Sequence, residues 1–146
     1  HYLEVSLEAN TLARVAYAIG RARAAGRVKV ESRVWTYYVG VSSRGVEGYA
    51  YFEKQRVRTM PATFMAVVEP DGRLRFLELL SFHEPEDYMP GARWLELFRG
   101  RRLDSELMVR RGIRNITGAS LTSRALTEGV RRVLAVHAVL HSEKAQ

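Results

Sequence analysis

The sequence predicts an α+β domain in which an N-terminal and a C-terminal helix pack on an antiparallel sheet of about four or more strands. Apolar residues recur at helical spacing towards both ends of the chain, whereas they alternate with a period of two in its middle. Turn signals separate the alternating segments closely, and strands joined by short turns pair in the antiparallel sense. Helix, sheet and helix in that order are typical of the α+β class.

The length and composition fit one domain over residues 1–146. The chain is 47% hydrophobic and 27% charged, as in ordinary globular proteins. It contains no cysteine, which excludes disulfides, thiolate metal sites and a cysteine nucleophile. Its apolar stretches are only a few residues long, so we expect no transmembrane segment in this chain. Because the chain begins at His1 without a signal-peptide pattern, we expect a leader or anchor to have been removed.

The first helix and the first strand are predicted from a change of period. The helical stripe ends before Gly26, and the alternation that follows ends near Gly40. The stripe consists of Leu12, Val15, Ala16 and Ile19, and the alternating face consists of Val28, Val30, Val34, Thr36 and Tyr38.

Three further strands complete the predicted sheet. A turn at residues 42–45 precedes a strand through Val46 and Phe52, and a third strand spans residues 63–68. The turn at residues 69–72 contains proline and glycine, and a fourth strand follows it over residues 74–82.

Two helices are predicted in the rest of the chain. The first covers residues 92–98 and carries Trp94 and Phe98 as core residues. The second begins with Thr122 or Ser123 as its N-cap. Its buried face is predicted to contain Leu126, Val130, Val133, Leu134, His137 and Leu140.

The sequence lacks the common motifs of nucleotide-binding enzymes. The chain has neither a Walker loop nor a Gly-x-Gly-x-x-Gly fingerprint, and no catalytic residue is predicted. His137 and His141 are one helical turn apart and could share a metal ion, but no third ligand is evident. Since position 137 lies on the apolar face of the helix, the sequence favours a packed core histidine and predicts no metal.

The segment of residues 114–123 is the strongest candidate for a binding site. It combines hydroxyl groups and small residues with the start of a helix, where free amide groups and the helix dipole favour a phosphate. Arg110, Arg111 and Arg114 place positive charge just before it. The alternative interpretation is a polar loop that ends in a helix cap.

The residues of this segment also carry a family resemblance. Thr117, Gly118, Ala119, Ser120, Leu121, Thr122 and Ser123 follow one another in it. This run resembles the Ser/Thr-Gly-Ala-Thr-x-Thr-Ser motif of the FMN-binding domain family. That family includes the C subunit of sodium-translocating NADH:quinone oxidoreductase, the G subunit of the Rnf complex, and NosR. The similarity extends over about residues 45–140, through the strands and the loop at His83.

The resemblance implies a cofactor, a covalent bond and a set of partners. The cofactor is FMN, attached through its phosphate to the hydroxyl of Ser120 by an ApbE-like flavin transferase. The protein would then carry electrons between membrane or periplasmic redox partners in an extracytoplasmic location, and would not be a stand-alone enzyme. Thr117, Gly118, Ala119, Leu121 and Thr122 correspond to further motif positions.

Three other residues are candidate flavin contacts. Glu84 and His83 match the family's loop beside the flavin, and Tyr88 could stack on the ring or donate a hydrogen bond to it. Two positions depart from the family pattern: serine replaces threonine at position 120, and Arg114 stands near the place of an aspartate. A domain that binds FMN without a covalent bond is therefore the alternative.

A second class of function competes with the flavoprotein hypothesis. The net charge of +7 is compatible with a basic module that binds nucleic acid or another anionic surface. Exposed sheet aromatics could stack bases in such a module, namely Trp35, Tyr37, Tyr38, Tyr49, Tyr51 and Phe52. The chain has no RNA-binding signature and no charge stripe, so we predict no nucleic-acid partner.

Overall fold

An antiparallel sheet of five strands runs through the part of the chain that the computed structural model describes, residues 2–6 and 36–141. The strands are hydrogen-bonded to one another in chain order. They are β1 (Tyr2–Ser6), β2 (Thr36–Ser42), β3 (Gly45–Arg56), β4 (Pro61–Val68) and β5 (Leu74–Phe82).

Three helical segments follow the sheet. A single 3₁₀ turn spans Glu86–Tyr88, the short helix α1 spans Ala92–Glu96, and the long helix α2 spans Ser120–His141. Helix α2 packs across β3 and β4, and α1 packs against β5. This arrangement confirms the predicted α+β class.

The core lies between α2 and one face of the sheet. On β3, Tyr49 and Tyr51 are buried on the face that meets α2, because successive side chains of a strand point to opposite faces. Phe64, opposite Glu53 in the register, is fully buried on β4. On α2, Leu126, Val130, Val133, Leu134 and His137 are buried, as the helical spacing predicts, and Leu140 is partly buried against them.

On strand β2, the side chains that face the core alternate with Thr36 and Tyr38, the residues that the sequence predicts to share one face. Tyr37 pairs with Tyr51 in the register, and Tyr37 and Val39 pack against the core. Tyr38 instead contacts the exposed Phe52. The face predicted to carry Thr36 and Tyr38 is therefore not the core face, because the pairing with β3 decides which side meets the helix.

The predicted element boundaries differ from the structure at several points. Strand β5 has the predicted bounds, whereas β3 and β4 are longer than predicted and α1 is shorter. Helix α2 begins at Ser120, so the prediction of an N-cap at Thr122 or Ser123 is wrong. The predicted N-terminal helix and the strand residues before Thr36 lie outside the described residues.

Long-range hydrogen bonds fix the irregular segment between α1 and α2. The indole Nε1 of Trp94 donates to the carbonyl of Arg114 at 2.6 Å. The guanidinium of Arg101 donates to the carbonyl of Gly112 at 2.8 Å, and that of Arg131 donates to the carbonyl of Leu107 at 2.9 Å. These bonds fix the segment at Leu107, Gly112 and Arg114, just before the turn that leads into helix α2.

Candidate functional site

A cleft of about 370 Å³ opens at the N-terminus of helix α2. Its volume lies at the small end of the range for ligand-binding pockets. One wall comes from the start of the helix and the turn before it, and the other comes from two loops of the sheet. The lining residues are Arg58, Tyr88, Gly118, Ala119, Ser120, Leu121 and Thr122.

The turn before α2 depends on a glycine and a serine. Gly118 has a φ of +80°, a conformation that side chains disfavour. The hydroxyl of Ser123 accepts a hydrogen bond from the amide of Ile116 at 2.9 Å and donates one to the carbonyl of Ala119 at 3.1 Å. Ser123 therefore lies within the first turn of the helix and stabilises the preceding turn with its side chain. It is not the N-cap, because the helix already begins at Ser120.

The start of helix α2 presents several hydrogen-bond donors without partners. Within residues 36–141, the backbone amides of Ser120, Leu121 and Thr122 have no backbone acceptor. The hydroxyl of Thr122 also has no hydrogen-bond partner there, although the residue is only 1% exposed. A buried hydroxyl without a partner is unusual in proteins. These groups and the positive end of the helix dipole favour an anion at this place.

Ser120 lies half-buried in the same cleft. Its hydroxyl oxygen accepts a hydrogen bond from the side-chain amide of Asn115 at 3.3 Å. This contact occupies an oxygen lone pair, and the hydroxyl proton has no acceptor among the described residues. The hydroxyl of Ser120 is therefore held in place and can still react or donate a hydrogen bond.

The opposite wall of the cleft carries a positive charge. The guanidinium carbon of Arg58 lies 4.8 Å from the ring centroid of Tyr88, in a cation–π contact. Among the described residues that line the cleft, only Arg58 is charged. Sequence reasoning missed it, because its turn follows β3, far from the motif along the chain.

The other predicted contacts lie around the cleft without lining it. His83 is exposed, and Glu84 is buried with its carboxylate on the backbone of the turn between β3 and β4. Thr117 and Arg114 are exposed. Tyr88, together with the motif residues from Gly118 to Thr122, does line the cleft.

The two histidines of α2 belong to the core side of the helix. His137 is 2% exposed, and its Nδ1 lies 2.8 Å from the hydroxyl of Tyr51. His141 stacks on His137 at a ring distance of 4.1 Å. In the described part of the chain, no cluster of histidine and carboxylate side chains could hold a metal ion.

The sheet aromatics do not form an exposed platform in the described residues. Tyr49 and Tyr51 are buried beneath α2, and Tyr37 is partly buried beside them. Phe52 is 43% exposed and has Tyr38 against its ring. Trp35 lies outside the described residues. This geometry gives no support to base stacking on the face that meets the helix.

Comparison with known proteins is informative at the level of structure and not of sequence. No protein-family model matches the sequence, and neither does any curated protein. The crystal structure of Shewanella oneidensis NqrC superimposes with a TM-score of 0.62 at 16% sequence identity. The match covers 83% of this chain and 66% of NqrC, so the chain spans slightly less than two-thirds of the length of that protein.

This match establishes the fold of the chain. It has an NqrC-like α+β fold, and the fold that the motif resemblance implies is thereby confirmed. Among the described residues, no helix is both long enough and apolar enough to span a membrane.

Proposed function

We propose that this protein is an FMN-carrying electron-transfer domain whose flavin is attached through its phosphate to Ser120. One observation carries the proposal: Ser120 lines one cleft together with Thr122, whose buried hydroxyl has no partner among the described residues, at a helix start where three backbone amides have no backbone acceptor. The NqrC-like fold supports it, because the C subunit of sodium-translocating NADH:quinone oxidoreductase belongs to the family that the motif resembles.

The residues of the cleft fit a flavin phosphate. The hydroxyl of Thr122 and the amides of the first helical turn are donors that lack an acceptor among the described residues. A phosphate oxygen is such an acceptor. The turn is also open at Gly118, where an added Cβ would meet no atom within 4 Å. The side chain of Leu121 is 49% exposed at the rim and offers apolar surface to a flavin ring.

Covalent attachment needs a hydroxyl group and a transferase. The oxygen of Ser120 would form the new bond to the FMN phosphorus of FAD, while the bond from that phosphorus to AMP breaks. The hydroxyl proton passes to a base of the flavin transferase or to water, and AMP is released. Serine and threonine both supply the required oxygen, so the serine at this position is chemically competent.

The role of the protein is to hold the flavin and to leave it accessible. Bound FMN exchanges one or two electrons, and this chemistry belongs to the cofactor. The cleft would fix the phosphate end, while redox proteins dock at the open side. By its resemblance to the family, we place the domain outside the cytoplasm, near membrane or periplasmic electron donors and acceptors.

Replacement of Ser120 tests the attachment. After co-expression with a flavin transferase, intact mass should show one FMN on the native protein and none on Ser120→Ala. Ser120→Thr should retain or improve loading, because it keeps the hydroxyl. Ser105→Ala is the control and should load fully, since this residue is exposed and lies outside both the motif and the cleft. Acid-stable flavin on Ser120→Ala would contradict the proposal and would make Thr122 the first residue to test as acceptor.

A further inference from the structure

A buried carboxylate organises the turn between strands β3 and β4. One oxygen of Glu84 accepts hydrogen bonds from the backbone amides of Arg58 at 3.2 Å, Thr59 at 2.8 Å and Met60 at 2.9 Å. These bonds, with that from Met60 the strongest influence, lower the pKa of Glu84 below its ordinary value. The carboxylate is therefore ionised at neutral pH and fixes the backbone of all three residues.

This turn delivers Arg58 to the cleft. The backbone of Arg58 is held by Glu84, and its guanidinium is held over the ring of Tyr88 at 4.8 Å. Within the described residues, the guanidinium donates no hydrogen bond and forms no ion pair, so its five N–H donors face no acceptor of the protein.

The charge of Glu84 does not cancel that of Arg58 through an ion pair. No carboxylate oxygen of the described residues lies within 4 Å of the Arg58 guanidinium, because the oxygen of Glu84 that faces this turn accepts from three amides instead. The charge of Arg58 helps to lower the pKa of Glu84, but this exposed guanidinium makes no direct contact with the carboxylate and can contact a ligand in the cleft. A guanidinium is well suited to phosphate, since its parallel N–H groups match two phosphate oxygens.

We infer that Arg58 binds the flavin phosphate and that Glu84 is a positioning residue that holds Arg58 in place for this contact. The inference rests on the proposed function and deepens it, because it assigns the phosphate-binding cation to a residue outside the motif. Glu84 then acts on the flavin through the turn of residues 57–60, rather than by touching the ring.

The experiment compares FMN with riboflavin, which differs from FMN only by lacking the phosphate. Native protein and variants are made without a flavin transferase, and the affinity for each ligand is measured by fluorescence titration. We expect Arg58→Gln to lose about tenfold in FMN affinity, the effect of one charge-assisted contact, with riboflavin binding unchanged. Arg102→Gln is the control, since this arginine is exposed and does not line the cleft.

Two variants of Glu84 test the positioning role. Glu84→Ala removes the acceptor of the turn and should reduce the preference for FMN over riboflavin about as much as Arg58→Gln. Glu84→Gln keeps an acceptor oxygen and should retain more of that preference. Glu86→Ala, an exposed acid in the same loop, should leave it unchanged. Since Glu84→Ala could destabilise the fold, circular dichroism checks each variant, and Glu84→Gln decides the role if the alanine variant is unfolded.

The rate of covalent loading by the flavin transferase is the second measurement. It should fall about tenfold in Arg58→Gln and stay at the native rate in Arg102→Gln. If Arg58→Gln keeps both the native preference for FMN and the native loading rate, the inference is overturned while the proposed function stands. If native protein neither binds FMN nor acquires it from the transferase, the proposed function itself fails.

Discussion

The buried hydroxyl of Thr122 links the stability of the protein to its site. A buried polar group without a partner costs about 1–3 kcal/mol, and this hydroxyl has no partner among the described residues. Thr122→Val keeps the shape of the side chain and removes the hydroxyl. We therefore expect this variant to raise the free energy of unfolding of the flavin-free protein by about 1 kcal/mol, and to weaken FMN binding.

Thr127 provides the matched control for this prediction. It is also buried in α2, but its hydroxyl donates to the carbonyl of Ser123 at 2.7 Å. Thr127→Val should lower the free energy of unfolding by about 1 kcal/mol, since it removes a hydrogen bond that is made. Urea denaturation of the flavin-free proteins measures both changes. A loss of stability in Thr122→Val would show that its hydroxyl has a partner in solution.

The contact between helix α2 and strand β4 depends on a missing side chain. A Cβ at Gly129 would lie 2.6 Å from Cζ and 2.7 Å from Cε1 of Phe64, whose ring is fully buried. Alanine normally favours a helix over glycine by about 1 kcal/mol. Here overpacking should dominate, and we expect Gly129→Ala to lower the free energy of unfolding by about 1–3 kcal/mol.

Two further variants test that explanation by thermal and urea denaturation. Gly91→Ala adds a Cβ that meets no atom within 4 Å, and it should change the free energy of unfolding by less than about 0.5 kcal/mol, because the lower chain entropy of alanine offsets its poorer N-cap of α1. In a Phe64→Leu background, Gly129→Ala should cost less, because the clashing ring atoms are gone. An equal cost in both backgrounds would contradict the proposed clash.

The pairing of α2 with β3 predicts a pH dependence of stability. Glu53 faces Arg132 at 3.4 Å with its side chain 15% exposed, and burial raises its pKa to about 7 despite the lowering effect of Arg132. Because the folded-state pKa exceeds the unfolded value of 4.5, the folded protein binds the proton of Glu53 more tightly than the unfolded chain does. The contribution of this proton to the free energy of unfolding is complete below pH 4.5 and is lost as the pH rises through 7. We expect a loss of about 1–3 kcal/mol over that range.

Glu53→Gln isolates this contribution. The variant cannot ionise, so its free energy of unfolding should fall less than that of native protein between pH 4.5 and 7. Glu78→Gln on β5 is the control, because Glu78 is exposed. Urea denaturation at several pH values measures the difference. Parallel pH profiles for native protein and Glu53→Gln would rule out a raised pKa.

At the scale of the whole molecule, the size of the cleft in the described residues favours the proposed carrier over a dehydrogenase. The cleft of about 370 Å³ is at the small end for ligand pockets and leaves little room for a dinucleotide beside a flavin. We expect the flavin-loaded protein to be reduced and reoxidised by artificial donors and acceptors, with only slow reduction by NADH alone. Stopped-flow absorbance of the flavin measures both reactions. Fast, saturable bleaching by NADH would contradict the carrier proposal.

Local patterns predicted much of this architecture. The turn at residues 69–72 and the alternation after it predicted β5 with its observed bounds, and the apolar spacing after Ser123 predicted the buried face of α2. The start of helix α2 was predicted less well than its buried face, because a side chain expected to cap the helix forms hydrogen bonds in the turn before it instead. Helix α2 begins at Ser120 because the hydroxyl of Ser123 reaches back to the amide of Ile116.

By itself, the sequence determined the α+β class, the buried stripe of α2 and the position of the motif before a helix, because these features depend on neighbours within a few residues. The family resemblance already named Tyr88 and Glu84 as candidate contacts, but only the tertiary structure decided the position of each and brought Arg58 to face the motif. Arg58 and Tyr88 lie on the opposite wall of the cleft, and Glu84 holds the turn that carries Arg58. Such contacts arise from strand pairing and helix packing, in which residues far apart in the chain meet at one place. Local sequence patterns therefore do not predict these contacts.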